Sequence, residues 1–76
     1  MKPYKNISEN SGVVAYETEK QGIRVKFIDG RTYHYTYRTA GRQHIEEMKK
    51  LTEAGKGLSG YISKYVRDNY EKTEEE

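Results

Sequence analysis

Apolar and polar residues alternate along the first half of the chain, a pattern typical of half-buried β-strands. It is clearest in "IRVKFI", where Ile23, Val25 and Phe27 alternate with Arg24 and Lys26. The flanking segments "GVVAYETE" and "RTYHYTY" have the same period, and the intervening "KQG" and "DG" are turn sequences. The first 38 residues therefore predict a three-stranded antiparallel meander.

The second half changes to the period of a helix. In "AGRQHIEEMKKLTEA" the apolar residues Ile45, Met48 and Leu51 share one face, with Thr39 as the predicted N-cap and Gly55 as the residue that ends the helix. "LSGYISKYVRDNY" predicts a second helix with a broad apolar face. We therefore expect an α+β fold of order β-β-β-α-α, with both helices on one face of a three-stranded sheet.

Composition sets the class and the expected domain limits. The chain has 76 residues and no cysteine, which predicts one domain without disulfides or thiolate metal sites. No apolar run has the length of a leader or a membrane span, so we expect a cytoplasmic protein that has no contact with a membrane. We expect a flexible N-terminal arm at 1–11, the folded domain at 12–70 and a disordered acidic tail at 71–76.

Charge is distributed unevenly between the body and the tail. Residues 1–70 contain 13 Lys and Arg against 8 Asp and Glu, whereas "EKTEEE" contains one Lys against four Glu. A basic body favours a polyanionic partner, although an ordinary solvated surface explains the same excess. The tail is expected either to compete for the basic surface or only to aid solubility.

The face on which the tyrosines of "TYHYTYR" lie depends on the loop before them. If Asp29-Gly30 form a two-residue type I′ turn, Tyr33 lies opposite Lys26 and Tyr35 lies opposite Arg24. Directly opposed residues share a face of the sheet. This register predicts an exposed platform of aromatic and basic side chains, which is typical of proteins that bind single-stranded nucleic acids.

A three-residue loop at 28–30 predicts the opposite arrangement. Tyr33 then pairs with Val25, and Tyr35 with Ile23, so that the tyrosines join the core with their hydroxyl groups at its rim. The two registers differ by one residue, and such a slip exchanges the two faces of a strand. The sequence leaves both registers open.

"IRVKFIDGRTYHY" resembles the motif of the KTSC domain, a small domain found at the C-terminus of some lysyl-tRNA synthetases and as a stand-alone bacterial or phage protein. The matching positions are Ile23, Val25, Phe27, Gly30, Tyr33 and Tyr35. "VVAYE" resembles the family's first strand, and "GKGLSGYISKY" its glycine-containing turn and aromatic segment. The resemblance covers about residues 12–70. The family's role is unsettled, but RNA binding is suggested for it. RNA binding is therefore the function that the resemblance implies.

Other chemistry-bearing residues are few. Gly55-Lys56-Gly57 precedes the second helix and is either a phosphate-binding turn or only the end of one helix and the start of the next. His44 falls on the apolar face of its helix, which predicts a hydrogen-bonded histidine at the core edge, and His34 is expected to face away from the neighbouring tyrosines. We expect no cofactor, no metal ion and no enzymatic activity.

Two functions remain as hypotheses. The first is a module that binds RNA, either tRNA or single-stranded, through five residues: Arg24, Lys26, Tyr33, Tyr35 and Lys56. The second is a small phage or accessory protein that binds another protein, with the Tyr65 and Tyr70 side of the last helix as a possible surface. A monomer is expected, with an oligomer left open.

Overall fold

The computed structural model describes residues 1–5 and 12–75. Its strands are β1 (Lys2–Pro3), β2 (Val13–Glu19), β3 (Gly22–Phe27), β4 (Arg31–Thr36) and β5 (Lys72–Glu75). The helices are α1 (Tyr37–Ala40), α2 (Arg42–Ala54) and α3 (Leu58–Tyr61), and α3 continues into a π-helical segment, Ile62–Val66. Within these residues, no helix is long and apolar enough to cross a membrane.

The sheet has five antiparallel strands in the order β1-β2-β3-β4-β5. Its three central strands are the predicted meander, and the α+β class is confirmed. The prediction of three strands is wrong because both ends of the chain add an edge strand. Each added strand satisfies backbone groups that would otherwise form an open sheet edge.

β5 replaces the disordered tail that the sequence predicts. Lys72–Glu75 pair with Arg31–His34 of β4, and Arg31 Nε lies 3.3 Å from Glu75 Oε1. His34 Nε2 donates a hydrogen bond to Glu74 Oε1. These contacts give the acidic segment partners that its own composition does not reveal, since they come from a strand some 40 residues earlier.

The first residues are also attached to the sheet. Lys2 and Pro3 pair with Tyr16 and Ala15 of β2. Tyr4 is buried, and its hydroxyl oxygen accepts a hydrogen bond of 3.3 Å from the backbone N–H of Leu58. The prediction of a flexible arm is therefore wrong for residues 1–5, while residues 6–11 of that arm lie outside the described residues.

The β3–β4 hairpin has the three-residue loop. Val25 pairs with Tyr33 and Ile23 with Tyr35, so the tyrosines lie on the same sheet face as the apolar residues of β3. Gly30 has φ +89°, a left-handed conformation that glycine adopts without steric cost, and its N–H donates to Phe27 O at 3.0 Å. The register with outward tyrosines, one of the two left open by the sequence, does not occur.

The helices cover that apolar face and complete the core. The fully buried apolar side chains come from both layers: Val13, Ile23, Val25, Tyr35, Ile45, Met48, Leu58 and Val66. Tyr35 has no exposed surface, and its hydroxyl group donates a 3.1 Å hydrogen bond to the carbonyl of Arg67. Burial raises the pKa of the Tyr35 phenol, which stays neutral.

The helix ends differ from prediction at two positions. The N-cap of the long helix α2 is Gly41 instead of Thr39, whereas Thr36 is the N-cap of α1 and forms a reciprocal capping box with Thr39. Gly55 ends α2 as predicted, in a left-handed conformation with its N–H donating to Leu51 O. The second predicted helix is shorter than expected because it turns π-helical and stops at Val66.

Replacing the buried ring at the centre of this core is expected to be costly. Tyr35→Ala removes a fully buried aromatic side chain and its hydrogen bond, and is expected to lower the free energy of unfolding by about 3–5 kcal/mol. Tyr65→Ala is the matched control, because Tyr65 is 48% exposed, and should cost less than about 1 kcal/mol. Urea unfolding followed by circular dichroism measures both, and equal losses would contradict the buried register.

Attachment of β5 is expected to depend on pH. The hydrogen bond from His34 lowers the pKa of Glu74, with smaller contributions from the charges of Arg24 and Lys72. Since this pKa is lower in the folded chain, its contribution to stability is complete above the ordinary glutamate pKa of about 4.3 and disappears as pH falls through the folded value. The protection factors of the β5 amides, which correct for the intrinsic pH dependence of exchange, should therefore fall on acidification.

Two variants test this assignment by amide exchange measured at several pH values. Glu74→Gln should weaken the protection of β5 at neutral pH and reduce its pH dependence. Glu53→Gln, which changes an exposed carboxylate on α2, should leave both unchanged. Unaltered β5 protection in Glu74→Gln would show that the His34–Glu74 contact does not hold the strand.

Candidate binding surfaces

The predicted site residues do not form one surface. Arg24 and Lys26 lie on the outward face of β3, whereas Tyr33 and Tyr35 lie on the inward face beneath the helices. Tyr35 cannot stack on a base because it has no exposed surface. Lys56 is exposed in the turn between α2 and α3. The composite site predicted from sequence is therefore divided among three parts of the molecule.

The outward sheet face carries paired charges. Arg24 Nε lies 3.3 Å from Glu19 Oε2 without hydrogen-bond alignment, and both side chains are partly exposed. His34 also points outward, as predicted, but flanking side chains leave it only 5% exposed. The β3 and β4 side chains of this face include no Tyr, Phe or Trp, and its one aromatic residue, His34, is buried, so the face does not offer a stacking platform.

One backbone N–H group beside the turn at Lys56 already donates a hydrogen bond within the protein. The N–H of Leu58, the first residue of α3, donates to the Tyr4 hydroxyl oxygen. Gly55 and Gly57 both have positive φ values, which fit the end of α2 and the start of α3. The geometry therefore favours a turn between two helices over a phosphate-binding loop.

An open pocket, here named the hairpin pocket, lies between the β3–β4 loop and the π-helical segment. Its volume is about 250 Å³. Its aromatic wall contains Phe27, Tyr33 and Tyr70, and its polar groups come from Asp29, Ser59, Ser63, Arg67 and Asp68. Tyr33 is thus placed beside a cavity, although not on the surface that the sequence predicts.

The aromatic wall is made by direct packing between rings. Tyr33 stacks on Tyr70 with ring centres 5.0 Å apart and contacts Phe27 at 5.2 Å. Tyr35 meets Tyr33 and Tyr70 edge to face at 6.4 and 6.2 Å. This cluster fixes the wall of the pocket because one of its rings is fully buried in the core.

The opposite wall is built on an irregular backbone. The N–H of Arg67 donates to Ile62 O at 2.7 Å, which closes the π-helical segment, and Arg67 has φ +21°. The Tyr35 hydroxyl group holds the carbonyl of the same residue. Segments of π-helix and residues in sparsely populated conformations are frequent at binding sites.

A second surface lies around the third tyrosine of "TYHYTYR". The Tyr37 ring has Arg42 Cζ at 6.0 Å and Lys49 Nζ at 5.8 Å from its centre, both within cation–π range. Its hydroxyl group donates a 2.6 Å hydrogen bond to Glu46 Oε2. Lys49 Nζ also donates to the carbonyl of Lys20 at 3.4 Å, which brings the β2–β3 turn next to α2.

We name this surface the Tyr37 patch and define it by four residues: Tyr37, Arg42, Glu46 and Lys49. It contains two cationic side chains and one carboxylate. The hydrogen bonds from Tyr37 and Lys49 lower the pKa of Glu46, which keeps the carboxylate ionised, and the Glu46 contact raises the pKa of Tyr37. The patch is therefore net positive around an aromatic ring.

A third group of rings lies on the helices. His44 Nδ1 and the Tyr61 hydroxyl group are 2.6 Å apart, which confirms the predicted hydrogen-bonded histidine at the core edge. Tyr65 stacks on His44 at 5.7 Å and is 48% exposed. Over residues 1–5 and 12–75, no three His, Cys, Asp or Glu side chains are grouped so as to hold a metal ion.

Sequence reasoning missed both the Tyr37 patch and most of the hairpin pocket. The alternating pattern places Tyr37 in the third strand, although it is the first residue of α1. One signal for the pocket was available: Ser59 and Ser63 are four residues apart and flank the apolar Ile62, so a helix places both hydroxyl groups beside its buried face. The sequence gives no comparable signal for Arg67 and Tyr70, because both residues follow the π-helical segment and no longer have the helical period.

Comparison of the chain with protein-family models, with curated proteins and with solved structures found no match. The roles proposed for the Tyr37 patch and the hairpin pocket therefore rest on the geometry and charge of each surface. The Tyr37 patch offers an aromatic ring among cations. The hairpin pocket offers an aromatic wall with hydrogen-bond donors and acceptors around it.

Proposed function

We propose that this protein is a non-catalytic module that binds single-stranded RNA, and that the Tyr37 patch is its principal contact surface. The observation that carries the proposal is the half-buried Tyr37 ring with two cations within about 6 Å of its centre. Bases stack on such rings while neighbouring Lys and Arg side chains contact phosphates. Membership of the KTSC family, which the segment from Ile23 to Tyr35 resembles, is proposed with it.

The Tyr37 ring distinguishes this surface from the one predicted by sequence. Glu19 pairs with Arg24 on the outward sheet face and Glu46 pairs with Lys49 in the Tyr37 patch, both at 3.3 Å, so a phosphate competes with one carboxylate at either surface. Among the described residues Arg42 forms no salt bridge, which leaves its positive charge beside the Tyr37 ring for a polyanion. Release of counterions from the bound strand then contributes most of the binding free energy and makes affinity strongly dependent on salt.

The patch also has a rigid base. Tyr37 begins α1 directly after β4, and its backbone N–H donates to Gln21 O at 2.9 Å. Arg42 and Lys49 come from the first and second turns of α2, whose buried face packs on the core. The β2–β3 turn, α1 and α2 thus hold the ring and the cations in one packed unit, which lowers the entropy cost of binding.

Salt dependence of binding tests this proposal. Fluorescence anisotropy with a labelled seven-nucleotide oligouridine should show that Arg42→Gln/Lys49→Gln weakens affinity and reduces the slope of log affinity against log salt by about 1.4, since each contact on a single strand contributes about 0.7. Arg24→Gln/Lys26→Gln is the charge-matched control and should change the slope much less. A larger change of slope in Arg24→Gln/Lys26→Gln than in Arg42→Gln/Lys49→Gln would show that RNA binds the outward sheet face instead.

Stacking on the ring is tested separately. Tyr37→Phe keeps the aromatic face and should retain binding, whereas Tyr37→Leu keeps apolar volume and should lose about 1–3 kcal/mol of binding free energy. Thermal unfolding of both variants controls for loss of structure. Equal affinities of the leucine and phenylalanine variants would show that no base stacks on residue 37.

A protein partner is the second candidate, supported by a different observation. Tyr65 is a large exposed aromatic residue that packs with His44 and Tyr61, and Lys64 Nζ lies 5.4 Å from its ring centre. Exposed Tyr clusters are enriched at protein interfaces. Capture of one protein partner that survives high salt and is lost in Tyr65→Ala, together with no RNA binding, would favour this function.

A further inference from the structure

The hairpin pocket has the size of a site for one ring system. Pockets that enclose drug-sized ligands have volumes of about 300–1,000 Å³, and this one is smaller and open. One wall is aromatic. Because Tyr33 already stacks on Tyr70, an incoming ring has to pack on the surfaces that Tyr70 and Phe27 present to the pocket.

The polar groups of the pocket suit the edge of a base and not a phosphate. Asp29 and Asp68 contribute two negative charges, of which that of Asp29 is paired with Arg31 at 4.0 Å, and Arg67 contributes one positive charge. The pocket therefore has little net charge, which favours a neutral group over a phosphate. Ser59 and Ser63 add hydroxyl groups that donate or accept hydrogen bonds. A neutral planar heterocycle with donors and acceptors along its edge matches this combination.

Arg67 and Asp68 narrow the choice of base. Among residues 1–5 and 12–75, neither side chain forms a salt bridge, although both line the pocket. A guanidinium group donates two hydrogen bonds to O6 and N7 of guanine, and a carboxylate accepts from amino groups on a base edge. Guanine is the base that offers both an O6/N7 acceptor pair and an exocyclic amino donor.

The backbone of Arg67 is fixed before any ligand arrives. Arg67 is held with positive φ by its N–H bond to Ile62 O and by the Tyr35 hydroxyl group on its carbonyl. Tyr35 in turn is fixed by complete burial. The same tyrosine thus joins the aromatic wall to the polar wall, which is the arrangement of a preformed site.

We propose that the hairpin pocket accepts one unpaired guanine base of the RNA strand bound at the Tyr37 patch, an inference that rests on the proposed function. Tyr33 lies in β4 and Tyr37 begins α1 four residues later, so about 13 Å of chain separates the two residues. A site of about 4–16 nucleotides, the range known for small single-strand binders, covers that distance. The patch supplies affinity without base preference, and the pocket supplies the preference.

Two oligonucleotides test the pocket separately from the patch. Affinities are measured for oligouridine of seven nucleotides and for the same strand with guanine at its centre. The guanine strand should bind at least about fivefold more tightly, since one good bidentate contact discriminates by that factor or more. Strands with adenine or cytosine at the centre should bind like oligouridine.

Pocket variants should remove the preference and leave the affinity for oligouridine unchanged. Arg67→Lys keeps the positive charge but cannot donate a bidentate pair of hydrogen bonds, and Asp68→Asn keeps the shape of the side chain but not the carboxylate. Both should bring the ratio of the two affinities close to one. Arg42→Gln/Lys49→Gln is the matched control, because it should weaken both strands and preserve the ratio. Thermal unfolding checks that each variant is folded.

The outcomes separate the two proposals. If no strand binds, the proposed function fails and the pocket inference fails with it. If all four strands bind equally and the amide NMR signals of Ser63 and Arg67 do not move, RNA binding stands and the guanine pocket is wrong. Movement of those signals with a tryptophan-containing peptide, and not with the guanine strand, would make the pocket a peptide site.

Discussion

The structure depends on the burial of Tyr35 between the sheet and the helices. Its ring is fully enclosed on the same face as Ile23, and this fixes the register of the β3–β4 hairpin. Its hydroxyl group donates to the carbonyl of Arg67, the residue at which the π-helical segment ends. One side chain therefore sets the hairpin register, the docking of the last helix and the shape of the hairpin pocket.

The same register determines which tyrosines can meet a ligand. Tyr33 turns toward the helices and becomes part of a pocket wall, and Tyr35 is withdrawn into the core. Tyr37 has left the strand and begins α1, where Arg42 and Lys49 approach its ring. Three tyrosines at alternate positions thus have three different roles, and the cations of the proposed RNA surface come from α2 instead of β3.

Local pattern predicts the parts of this fold that depend on local contacts. Alternation predicts β3 and β4, and helical period predicts α2 with its end at Gly55. The hairpin register could not be chosen, because "DG" fits both a two-residue and a three-residue loop, and packing of Tyr35 decides between them. β5 could not be predicted since "KTEE" has little strand propensity, and its partners His34 and Arg31 lie some 40 residues earlier.

The central claim is that the RNA-binding surface is the Tyr37 patch, because Tyr33 and Tyr35 face the core. An amide NMR titration of the intact chain with seven-nucleotide oligouridine, at low and moderate salt, tests this claim most directly. We expect shifts concentrated at Tyr37, Arg42 and Lys49 that shrink as salt rises. Shifts concentrated at Arg24 and Lys26 would contradict this account and restore the outward sheet face as the site. The absence of any shift at low salt would rule out RNA binding by this surface.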